Sequence, residues 1–180
     1  MVLMKNYAIA LGFRGKPYDN IIKAWQILEK NTNIKYVSTL TPEPHINIII
    51  GSTKNIEKIF KILKKIKIKK FKLKSPGVGI LANNEPNLYI RWEQSAELLK
   101  IVNLINKKTS YFFNKIGKFT NSSLWIPITT VAYKDFNYSD LNLIFHKVNF
   151  LFTKHYSVIH SIYLIDYTKN QIITHKIKLK

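Results

Sequence analysis

Two short apolar strands, each opened by a proline and set 83 residues apart, constrain this chain more than any other feature. The first is Pro44-His45-Ile46-Asn47, running on into Ile48-Ile49-Ile50-Gly51; the second is Pro127-Ile128-Thr129-Thr130, running on into Val131-Ala132-Tyr133. In an extended strand His45 and Asn47 share one face, while Ile46 and Ile48 point to the other. The flanking pattern repeats as well: strand, capped helix, loop, proline-led strand, helix, strand. The opening strands also correspond, from Tyr7 to Tyr89. A repeated α/β unit of this kind predicts two lobes related by a pseudo-twofold axis, with the proline-led strands meeting at a shared cleft.

Periodicity places the remaining elements. Lys5 to Gly12 reads as a strand, broken by Gly15-Lys16-Pro17. Asn20 to Lys30 reads as a helix capped by Asp19 or Asn20, with Ile21, Ala24, Trp25 and Leu28 on one stripe. Thr39 to Pro44 is a loop. Ser52 or Thr53 caps a second helix carrying Ile56, Ile59, Phe60, Leu63 and Ile66, and the period drops to two from Ile66 to Leu73. Ser75-Pro76-Gly77-Val78-Gly79 reads as a turn, with no Gly-Lys-Ser/Thr to make it a P-loop. Asn87 to Glu93 is a strand, and Ser95 caps a helix that buries Leu98, Leu99, Val102, Leu104 and Ile105. Thr109 to Asn121 is irregular. Ser123 to Tyr133 is a strand, Ser139 caps a helix through Phe152, and Val158 to Asp166 with Gln171 to Leu179 closes as a hairpin.

Composition bounds the chemistry. A chain of 180 residues that is 46% hydrophobic buries a core and is not disordered. It has no cysteine, which excludes disulfides, thiolate metal sites and thiol catalysis. No His-x-Glu-x-x-His spacing marks a metal, carboxylates are scattered, and no Gly-x-Ser-x-Gly elbow is present. No metal or cofactor is expected. The Tyr7 to Phe13 run is too short to span a membrane and lacks a cleavage site, so it reads as a first strand of an intracellular, cytoplasmic protein. A net charge of +19, from 29 Lys+Arg against 10 Asp+Glu, favours a polyanionic partner, RNA or DNA before membrane. Ten lysines lie between Lys54 and Lys74. Lys54, Lys58, Lys61, Lys72 and Lys74 are candidate nucleic-acid contacts, although a solvated helix and strand face would read the same way.

With these motifs in order, the chain resembles the two-histidine (2H) phosphoesterases, which include 2′-5′ RNA ligases and RNA 2′,3′-cyclic phosphodiesterases. That family carries a pair of His-x-Thr/Ser motifs, one per lobe, the second commonly preceded by Trp-x. Pro44-His45-Ile46-Asn47 is similar to the first, and Trp125-Ile126-Pro127-Ile128-Thr129-Thr130 to the second. Gly77-Val78-Gly79, the Ser95-Ala96-Glu97-Leu98 helix start and the Val158 to Leu164 strand are similar to its middle and C-terminal regions. The resemblance implies an α+β, bilobal domain over 1–180, with antiparallel sheets around a central cleft. Its lobes would be roughly 1–75 plus the C-terminal strands, and 76–166.

The resemblance also implies a division of labour. One histidine takes a proton from the attacking hydroxyl or water, the other gives one to the leaving ribose oxygen, and the hydroxyl residues hold the phosphate. Here Ile128 stands where the second histidine belongs, and Asn47 where Thr or Ser is usual. Asn47 still donates N–H bonds and Thr130 still offers a hydroxyl, so His45, Asn47 and Thr130 are the candidate site. Isoleucine moves no proton, and losing one general acid or base costs about 10²–10⁴-fold in rate. His146, His155 and His175 read as surface or packing residues, His160 as buried, and Tyr133 as a poor acid near neutral pH. Tyr89, Trp92 and Trp125 would stack on a base or serve the core. Three readings stay open: a phosphate or RNA-end binder with weak or lost catalysis, a working 2H enzyme using His45, and a structural RNA-associated protein.

Overall fold

The computed structural model describes residues 4–41, 43–81, 84–117, 120, 124–149, 154–168 and 170–180. Phe152, Asn121 and Ser123, which bound three of the predicted elements, lie outside them.

The fold is built on β1 (Lys5–Arg14), whose odd residues Tyr7, Ile9, Leu11 and Phe13 enter the main core. Its even residues Ala8, Ala10 and Gly12 are small, and they leave room for side chains laid across the other face. β2 (His45–Thr53) and β7 (His155–Asp166) pair antiparallel with β1 on either side. β3 (Phe71–Ser75) and β8 (Ile172–Lys178) share the outer edge of the long β7, completing a five-stranded sheet. A smaller sheet has the order β4 (Gly77–Leu81), β5 (Asn87–Arg91), β6 (Ile128–Tyr133). The span 76–166 is therefore divided between the sheets, because β7 finds its partners in β1 and β3. All the named pairs are antiparallel.

The helices are α1 (Lys16–Thr32), α2 (Tyr36–Leu40), α3 (Ile56–Lys65), α4 (Ala96–Thr109) and α5 (Leu141–Val148). α1 buries the predicted stripe of Ile21, Ala24, Trp25 and Leu28. Burial of each large side chain contributes about 1.5–3 kcal/mol. Ser95 caps α4 as expected, its hydroxyl accepting from the Leu98 N–H at 3.2 Å.

Several boundaries differ from the sequence reading. α1 starts at Lys16 behind Gly15, which takes φ 114°, and Pro17 sits in the first turn where its missing N–H costs nothing. Asn55 rather than Ser52 or Thr53 precedes α3, and the Thr53 hydroxyl accepts from the Asn55 N–H. Of the predicted 66–73 strand only residues 71–73 join the sheet, as part of Phe71–Ser75; Ile68 and Lys70 bond instead to the Lys180 backbone. The predicted Ser75–Gly79 turn is instead the end of β3 and the start of β4, with Pro76 between them. Gly79 is needed there because a Cβ would stand 2.6 Å from the Tyr89 ring on β5. α5 begins at Leu141 after a 3-10 turn, with a capping box between Asn137 and Asp140. α2 was not anticipated.

Candidate functional site

The two proline-led strands face one cavity of about 400 Å³. From β2 it is lined by His45, Asn47 and Ile50, and from β6 by the matching set Ile128, Thr130 and Tyr133, with Thr129 between them. Each set steps by two residues and then by three. The step of three follows from a register shift in each strand. Ile9 pairs with Ile49 but Ala10 with Asn47, and Leu88 pairs with Ala132 but Tyr89 with Thr130. Ile48 and Val131 are thus the extra residues of two matching bulges, and a bulge turns the following side chain back toward the cleft. The sequence offset of 83 residues is reproduced at all three positions. Ile128 occupies the place in β6 that His45 occupies in β2.

His45 is buried, with only 6% of its surface exposed. Its Nδ1 lies 2.8 Å from the Glu43 carbonyl oxygen, which can only accept, so Nδ1 carries the hydrogen. The neutral ring then presents Nε2 as an acceptor, 3.0 Å from the Tyr167 hydroxyl. The Asn47 Nδ2 amide donates to that same hydroxyl oxygen at 3.1 Å. Burial pushes the His45 pKa below its ordinary 6.5, outweighing the hydrogen bond to Glu43. Burial also pushes the Tyr167 phenol up to about 12, so both groups are neutral near pH 7.

Two hydrogen bonds tie the motif strands together across the lobes. The Thr129 hydroxyl donates to the His45 carbonyl at 2.9 Å and accepts from Trp92 Nε1 at 2.9 Å. Trp125 Nε1 donates to the Asn47 carbonyl at 2.8 Å. Both indoles are therefore buried and structural, Trp92 wholly so, and neither is free to stack on a base. Tyr89 is taken up against Gly79. Tyr133 does line the cavity, its phenol raised by a hydrogen bond to Glu85 and by burial.

The structure thus brings His45, Asn47 and Thr130 to one cavity and leaves the candidate lysines outside its lining. β2 runs for nine residues from His45 to Thr53. At a rise of about 3.3 Å per residue, Lys54, nine residues on, lies up to roughly 30 Å along the chain from the histidine. Lys58 and Lys61 lie on the exposed side of α3, Lys72 is exposed on β3 and Lys74 is half-buried. His146, His155, His160 and His175 do not line the cavity either. His146 is exposed and His160 bonds to Ser161, while His175 stacks on Phe60 with ring centroids 4.2 Å apart.

Tyr167, Gln171 and Asn87 line the cavity and were not singled out from sequence. Tyr167 packs on the cluster of Ala8, Ala10, Tyr163 and Ile165. The alternation Ala8-x-Ala10-x-Gly12 was the available signal, since small residues on one face of a strand leave space for something. Asn87 Oδ1 is buried without a hydrogen-bond partner among the described residues. No Lys, Arg, Asp or Glu is among the cavity's described lining, unusual in a chain of net charge +19. Among the described residues no three His, Asp or Glu side chains converge as a metal site would require, and no helix is long and apolar enough to cross a membrane.

A five-stranded antiparallel sheet and a smaller three-stranded one, with two proline-led strands facing a common cavity, give the chain a LigT-like fold. TT0787 of Thermus thermophilus matches with a TM-score of 0.67 at 11% identity, over 97% of both chains. E. coli LigT complexed with 3′-AMP matches with a TM-score of 0.56 at 11% identity, over 98% of both chains. Usb1 of Kluyveromyces marxianus matches with a TM-score of 0.52 at 9% identity, over 97% of this chain and 98% of that one. No family model and no curated relative matches the sequence.

Proposed function

We propose that this protein binds RNA ends or nucleotide phosphates in the His45–Ile128 cavity and has little or no phosphoesterase activity. The observation that carries this reading is the equivalence of His45 and Ile128 in the two bulged strands, which leaves the cavity with one imidazole among its described lining. In-line opening of a phosphodiester needs a base on one side of phosphorus and an acid on the other. With one of them replaced by an alkyl group, about 3–5 kcal/mol of barrier lowering is absent. Asn47 Nδ2 and Thr130 Oγ1 are the phosphate donors in this reading, with Asn87 and Gln171 left to hydrogen-bond ribose or base. E. coli LigT has been captured with 3′-AMP, ATP, NADP+ and phosphate, which supports a ligand of this class. Lys54, Lys58, Lys61, Lys72 and Lys74 act at longer range, drawing a polyanion toward the surface.

A working enzyme would need His45 to act with Tyr167, the proton-bearing side chain bonded to its Nε2. A phenol pushed up to about 12 is a weak acid at neutral pH, and both imidazole nitrogens are already engaged. This disfavours the active reading. The test is calorimetric titration of the native chain and of Asn47→Ala with 3′-AMP. The proposal expects binding that weakens about tenfold in the variant. Equal affinity in both would favour a structural role for the scaffold.

A further inference from the structure

Beside the neutral cavity, three donors from three strands converge on one carboxylate. Arg14 Nη2 lies 2.8 Å and Tyr163 Oη 2.7 Å from Glu43 Oε2, and Lys176 Nζ lies 3.5 Å from Glu43 Oε1. The cluster adjoins His45 by construction. Gly12 is the β1 partner of His45, and the Tyr163 ring lies over Gly12 so closely that a Cβ there would overlap it. Glu43 is itself the residue whose carbonyl holds the His45 ring. Tyr163 also belongs to the small apolar patch on which Tyr167 packs, so cluster and cavity share one face of the sheet.

A guanidinium fork, an ammonium and a phenol aimed at one planar anion make a phosphate-binding set. Two cations against one carboxylate leave the cluster with a net charge of about +1. The side chains of Arg14, Glu43 and Lys176 keep 41%, 24% and 36% of their surface, so each ion pair contributes only about 0–1 kcal/mol and is readily exchanged. We infer that Arg14, Lys176 and Tyr163 form a second phosphate subsite, covered by the Glu43 carboxylate and yielded to the neighbouring phosphodiester of a ligand already seated in the cavity. The inference rests on the nucleotide-binding reading and narrows it. The ligand is the end of an oligonucleotide, one phosphate on the neutral donors Asn47 and Thr130 and the next on the Arg14–Lys176 pair. A mononucleotide fills half of the site.

The experiment compares 3′-AMP with the dinucleotide ApAp by calorimetric titration. The proteins are the native chain, Glu43→Gln, and the double variant Arg14→Gln/Lys176→Gln. Glu43→Gln keeps the backbone carbonyl that holds His45, and thermal melts confirm that each variant is folded. The native chain should bind ApAp about tenfold tighter than 3′-AMP, because its second phosphate adds a charge-assisted hydrogen bond. Glu43→Gln should widen that ratio severalfold, and the double variant should bring it near one with 3′-AMP affinity unchanged. The ApAp salt dependence should exceed that of 3′-AMP by about 0.7 in log–log slope. If 3′-AMP binds but the ratio stays near one in the native chain and in Glu43→Gln, the second subsite is overturned while the nucleotide reading stands. Equal tightening of both ligands by Glu43→Gln overturns it too. If neither ligand binds the native chain, both fall.

Discussion

The Thr129 hydroxyl donates to the His45 carbonyl oxygen at 2.9 Å, joining the two motif strands at the residue between the pseudo-equivalent Ile128 and Thr130. The same hydroxyl oxygen accepts from Trp92 Nε1, so one buried group satisfies two partners from opposite lobes. Thr129→Val preserves shape but strands both partners. A buried unsatisfied polar group costs about 1–3 kcal/mol. The variant should therefore lose about 2–4 kcal/mol in urea denaturation, far more than an exposed Thr→Val change.

His45 makes stability depend on pH. The folded chain holds this imidazole below 6.5 by burial, while the unfolded chain titrates near its ordinary value. Between the two values the unfolded state binds more protons, so stability rises with pH. The contribution is complete above about pH 7. It declines as pH falls through 6.5 toward the folded-state value. His160, lowered by burial and by Arg14 and Lys176, adds to the same slope. The check is the difference between native and His45→Gln urea midpoints at about pH 7.5 and about pH 5; the native chain should show the steeper loss on acidification.

Tyr167 holds together His45 Nε2 and Asn47 Nδ2. Tyr167→Phe should cost about 1–2 kcal/mol of stability from the lost hydrogen bonds. It also frees the Asn47 amide that would hold a phosphate oxygen, so 3′-AMP affinity should hold or rise severalfold. A clear fall in affinity would make the phenol a ligand contact instead.

Ile128→His restores an imidazole at the position equivalent to His45. Opening of a 2′,3′-cyclic nucleotide, followed by chromatography, should rise at least about 100-fold over the native chain, the lower end of what one acid or base supplies. No gain would mean that the cavity cannot align a cyclic phosphate between the two strands.

The architecture was legible because it is written in repetition and period. The 83-residue offset fixed which strands meet, and the helical stripes of α1 and α3 named their buried faces, whereas α4 buries Ile101 in place of the expected Leu99, which is exposed, and leaves Leu104 half-buried. His45 and Asn47 followed from alternation within a strand, and Thr130 from the repeat and the family resemblance that set the second motif against the first. Tyr167 and Glu43 did not. Tyr167 reaches His45 only because β7 and β2 flank β1 and because Ala8 and Ala10 clear its path, 122 residues away in sequence. Glu43 acts through a backbone carbonyl and through partners on three separate strands, none of which a local pattern reveals. The aromatic candidates misled for a related reason. An indole in a motif reads as a stacking platform, but Trp125 uses its N–H to bind the lobes together, and Trp92 uses its own to hold the Thr129 hydroxyl that does the same. Net charge also hid the neutrality of the cavity, since it averages over a surface that the lining does not share.

The most direct test is ³¹P NMR of the native chain mixed with a 2′,3′-cyclic nucleotide and followed for hours. The account predicts a shifted or broadened cyclic-phosphate resonance, an effect much reduced in Asn47→Ala, and no growth of a ring-opened monoester signal. Steady appearance of that monoester, abolished in His45→Ala, would contradict it, as would a cyclic-phosphate resonance that the protein leaves unmoved.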